Sequence, residues 1–83
     1  MAEFLVELYV SHTDAGAVAL GAARARAAAE ELTREGTPVR YLRSIYVPED
    51  ETCFLLYEAG TATVAREAAG RAGLPFERIA EAR

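Results

Sequence analysis

Apolar and polar positions alternate from the first residues of the chain. Phe4, Val6, Leu8 and Val10 fall on one face of residues 3–11, and Leu5, Glu7, Tyr9 and Ser11 on the other. Period two in β-branched and aromatic types predicts a strand. The period then changes. Val18, Ala22, Ala25, Ala29 and Leu32 recur at steps of four and three, with Arg24, Arg26, Glu30, Glu31, Arg34 and Glu35 off that line. This predicts a helix over residues 14–35, capped by Ser11, Thr13 or Asp14 and ended by Gly36 and Pro38. Residues 39–47 and 52–58 read as strands on either side of the turn Pro48-Glu49-Asp50-Glu51, an antiparallel hairpin. Thr61 opens a second helix over 62–72, with Val64, Ala65, Ala68 and Ala72 as its apolar side, and residues 76–81 form a final strand. The order β-α-β-β-α-β is the ferredoxin-like α+β arrangement: four antiparallel strands with both helices on one face. No linker or repeat divides it, so residues 1–83 are expected to be one domain.

The helix-free face of that sheet carries an apolar load. Leu5, Tyr9, Leu55 and Tyr57 are expected there, and Glu7 and Arg43 are placed to pair across the intervening strand. A chain this small buries only about 60–65% of the surface its unfolded form exposes. An exposed apolar face of this size calls for a partner, and the commonest one is a second copy related by a two-fold axis. A homodimer is therefore expected.

Composition narrows the function classes. The net charge is −4, which disfavours a nucleic-acid partner. No apolar run is long enough for a membrane helix, and MAEFLVELYV lacks the basic start and cleavage site of a secretory leader, so a soluble cytoplasmic protein is expected. All nine basic residues are Arg and Ala is abundant, an association with GC-rich genomes such as those of actinobacteria. The lone Cys53 excludes an internal disulfide and a cysteine cage for zinc or iron–sulfur. It reads as a small buried hydrophobe.

The chain has no nucleophile–base triad, dinucleotide fingerprint or P-loop, so nothing in it argues for an enzyme. His12 is its only imidazole. In isolation it reads as a solvated loop residue, but the topology weighs differently. The loop 11–14 and the turn 48–51 fall at the same end of the sheet, with strand three beside strand one. His12, Asp14, Glu49, Asp50 and Glu51 then converge as a nitrogen-and-oxygen donor set suited to a first-row divalent cation.

Three segments carry a family resemblance: FLVE at 4–7, RYLRSIYVPEDETCFLLYEA at 40–59 and VAREAAGRAGLPFERI at 64–79. They resemble a family of small bacterial proteins, first catalogued as a domain of unknown function, that has an actinobacterial nickel-binding member. The resemblance implies a ferredoxin-like homodimer that binds nickel ion at its surface and sequesters it without catalysis. It fixes no ligands, so the donor set above rests on geometry alone. The alternative is a dimeric ferredoxin-like enzyme or small-ligand module that uses the open sheet face as a pocket.

Overall fold

The computed structural model describes residues 1–83. The elements are β1 (Ala2–Tyr9), α1 (Gly16–Arg34), β2 (Val39–Val47), a 3₁₀ turn (Pro48–Asp50), β3 (Thr52–Ala59), α2 (Ala62–Arg71) and β4 (Phe76–Ala82). The strands form one antiparallel sheet in the order β2-β3-β1-β4, the ferredoxin-like α+β fold.

The core lies between the sheet and the helices. β1 contributes Phe4, Val6 and Leu8, and β3 contributes Cys53, Leu55, Tyr57 and Ala59, all buried. α1 answers with Ala25, Ala28, Ala29 and Leu32, and α2 with Ala65, Ala68 and Ala69. Alanine on both helices lets their backbones sit close to the sheet, and the strands supply the volume. The expected stripe on α1 is rotated slightly: Ala28 is buried, whereas Val18 and Ala22 are only half-buried.

Both helices end as their glycines predict. Gly36 at φ 101° and Gly73 at φ 73° occupy the left-handed region. Thr37 N–H reaches back to Leu32 O at 3.0 Å, and Leu74 N–H to Ala69 O at 3.2 Å, which satisfies carbonyls the helix leaves free. The start of α1 departs from expectation. Its N-cap is Ala15, with no side-chain cap. The hydroxyls that would have capped it bond each other instead, Ser11 Oγ to Thr13 Oγ1 at 2.8 Å, and Ser11 Oγ accepts from Thr13 N–H at 3.2 Å. α2 does follow the rule, with Thr61 Oγ1 accepting from Val64 N–H at 3.3 Å.

Two expectations about the open face are corrected. Leu55 and Tyr57 point toward the helices, because β3 pairs with β1 in the register Val6↔Leu55 and Phe4↔Tyr57, and cross-strand partners share a face. The open face is built instead from Leu5, Tyr9, Ile45, Val47, Phe54 and Leu56, with Tyr9 58% and Ile45 40% exposed. Glu7 pairs with Arg78 of β4, 3.1 Å away, and not with Arg43. Arg78 is Glu7's direct cross-strand neighbour. Arg43 is aligned with Leu56 and so with Leu5, one row off and two strand spacings away, about 10 Å.

Candidate metal-binding site

β1 ends beside the turn that joins β2 to β3, and the ladder continues one step past the strands: Val10 N–H donates to Glu51 O at 2.9 Å. This brings the loop carrying His12 against Glu51. Glu51 adopts a left-handed conformation, φ 49° and ψ 37°, at the end of the Pro48–Asp50 turn, and its N–H donates to Pro48 O at 3.1 Å. A glutamate in this region is disfavoured by its own Cβ, so the surrounding contacts must hold it there. They converge on one oxygen. Glu51 Oε2 accepts from His12 N–H at 2.9 Å, lies 2.8 Å from His12 Nδ1, and takes a longer contact from the Tyr9 hydroxyl at 3.4 Å.

The His12 backbone N–H, and after it the imidazole, hold the Glu51 carboxyl below its ordinary range. An ionised carboxylate only accepts hydrogen bonds, so the short Nδ1 contact puts a proton on Nδ1. In the neutral ring the Nε2 lone pair is then free, on a side chain that is 66% exposed. Histidine ligands are commonly held this way, with one nitrogen on a carboxylate and the other on the metal.

Tyr46 braces the site from β2. Its hydroxyl donates to Val10 O at 2.9 Å. Desolvation, and then the Glu51 charge, raise the pKa of that hydroxyl, which keeps it protonated as a donor.

Of the five residues expected to converge, the structure joins His12 and Glu51. Glu49 and Asp50 are exposed on the 3₁₀ turn, and Asp14 is exposed where the loop enters α1. No group of three or more His, Cys, Asp or Glu side chains is gathered to hold a metal. One chain thus supplies an oriented imidazole and a carboxylate, and a divalent ion there would take its other ligands from water or another molecule. Cys53 is buried in β3 on the helix-facing side, and burial pushes its thiol pKa up, so it offers no thiolate. Pairing and periodicity alone did not single out the Tyr9 and Tyr46 hydroxyls. Their signal was positional, since each lies within a residue or two of a strand end that borders the loop.

No helix is long and apolar enough to cross a membrane. Neither the curated proteins nor the solved structures include a match to the chain. A family model does match it, over residues 7–82, and its description is nickel responsive protein SCO4226-like. That span runs from the middle of β1 to the end of β4 and takes in both the His12 loop and the Glu51 turn, and the chain belongs to the SCO4226-like family of nickel-responsive proteins.

Proposed function

We propose that this protein is a non-enzymatic nickel-binding protein that sequesters the ion in the cytoplasm, and that His12 anchors the metal through Nε2. The observation that carries the reading is the 2.8 Å contact between His12 Nδ1 and Glu51 Oε2, which orients the ring with its second nitrogen outward. Glu51 orients the ring, Asp14, Glu49 and Asp50 supply the acidic surroundings, and water completes the coordination of a hard-to-borderline divalent ion. One imidazole with carboxylates binds modestly and exchanges readily, as a sink requires.

The proposal includes a homodimer. The open face of Leu5, Tyr9, Ile45, Val47, Phe54 and Leu56 is apolar and rimmed by Glu3, Glu7, Arg40, Arg43 and Arg78, the composition of an interface core with a polar rim. Tyr9 belongs to that face and also touches Glu51. A second copy seated on the face would therefore lie beside His12 and could add ligands.

Calorimetric titration of the metal-free protein with nickel tests the reading. Saturable binding is expected, with at least tenfold weaker binding in His12→Ala and an unchanged far-ultraviolet circular dichroism spectrum. Equal affinity in the two proteins would remove His12 as the anchor.

A further inference from the structure

At the other end of β2 from His12, the last turns of α1 and the first residues of β2 border an open groove of about 400 Å³, whose lining includes Arg26, Glu30, Thr33, Arg34, Arg40 and Tyr41. Its volume falls in the range of small-molecule sites. Its lining holds three arginines against one glutamate; Arg40 is paired with Glu58, which leaves Arg26 and Arg34 against Glu30, a positive balance in a protein of net charge −4.

The arginines are presented and not merely nearby. Arg26, Glu30 and Arg34 recur every four residues, which puts all three on one side of α1. That spacing invites internal pairing, yet Arg26 and Arg34 form none of the protein's ion pairs. Arg26 lies over the Tyr41 ring, 5.2 Å from its centre, and Arg40 is tethered to Glu58 at 3.3 Å. A stacked guanidinium keeps its donors free for a planar anion. The walls are fixed as well. Thr33 Oγ1 donates to Val39 O at 2.9 Å and accepts from Val39 N–H at 3.1 Å, which ties the end of α1 to the start of β2. Compensation of the helix dipole accounts for Arg34 in the last turn, but not for Arg26, which lies two turns earlier.

We propose that this groove binds a small organic polyanion, with Arg26 and Arg34 gripping its phosphate or carboxylate groups beside the half-buried Tyr41 ring. This site is separate from the nickel site and does not depend on it. The probes are inorganic pyrophosphate and citrate, added separately to metal-free ¹⁵N-labelled protein and followed by amide and arginine Nε–H shifts. The expected result is saturable shifts confined to residues 26–41 for at least one probe, weakening as salt is raised. Arg26→Gln/Arg34→Gln should reduce affinity at least tenfold, while Arg24→Gln/Arg66→Gln stays within twofold of the parent. A response to pyrophosphate alone assigns phosphate, and a response to citrate alone assigns carboxylate. No response to either probe, or equal losses in the two double variants, overturns the proposal.

Discussion

Tyr57 is fully buried on the helix-facing side of β3, and its hydroxyl has no hydrogen-bond partner. The ring itself is well used. It packs edge-on against Tyr41, with ring centres 5.9 Å apart and planes at 71°, a geometry that aromatic quadrupoles favour. Burial pushes the phenol's pKa up, so the group stays neutral, but neutrality does not supply a partner. Leaving such a donor and acceptor unsatisfied costs about 1–3 kcal/mol. Tyr57→Phe removes that cost and keeps the ring contacts, at the expense of a void the size of one oxygen. Taking about 1.5 kcal/mol from that range and subtracting a few tenths for the void leaves a net stabilisation of about 1 kcal/mol. For a domain of this size that raises the melting temperature by roughly 4–8 °C. The assay is paired thermal and urea unfolding followed by circular dichroism, with the urea slope unchanged between the two proteins. A destabilised Tyr57→Phe would show that the hydroxyl is satisfied in solution, and would refute the reasoning.

Three further outcomes follow from the same structure. Cys53→Ala should bind nickel as the parent does and lose roughly 1 kcal/mol of stability, the scale of deleting one buried methyl-sized group; loss of metal without loss of fold would make the thiol a ligand. Because the folded state lowers the pKa of Glu51, this residue's stabilisation is fully present above the ordinary value of 4.5 and fades as pH falls below it. Glu51→Gln should therefore be less stable than the parent at pH 7, with the difference narrowing as pH falls below 4.5 in acid unfolding curves; a constant difference would contradict the assignment. Leu56→Asp, in the middle of the open face, should sediment as a monomer at micromolar concentrations where the parent sediments as a dimer, and a monomeric parent would remove the proposed interface.

Most of the architecture was legible because each element carries its own signal. Gly36 and Gly73 mark where the helices stop, and Glu7 fixes which face of β1 meets water. β3 was harder, since Phe54 and Leu56 are as apolar as Leu55 and Tyr57. Glu58 held the answer: it shares a face with Phe54 and Leu56, and a charge belongs on the side the helices leave open. The rotation of the α1 stripe toward Ala28 could not be read from an alanine-rich helix, where nearly every turn presents a small apolar residue on several sides. The uncapped start of α1 was hidden because Ser11 and Thr13 satisfy each other, a choice periodicity does not record. At the candidate site the topology indicated which loops meet. It did not indicate that Glu51 would take a left-handed backbone, a conformation for which glycine or asparagine is the usual marker. That single dihedral selects Glu51 from three consecutive acidic residues as the partner of His12.

The proposed nickel site rests on the His12 imidazole, with Nε2 outward and Glu51 behind the ring. Its most direct test is a nuclear magnetic resonance titration of ¹⁵N-labelled protein with substoichiometric nickel, whose unpaired electrons broaden nearby signals. The amides of residues 10–14 and 50–52 should broaden first, and that broadening should disappear in His12→Ala. Broadening that begins elsewhere, or that persists unchanged in His12→Ala, would contradict the assignment.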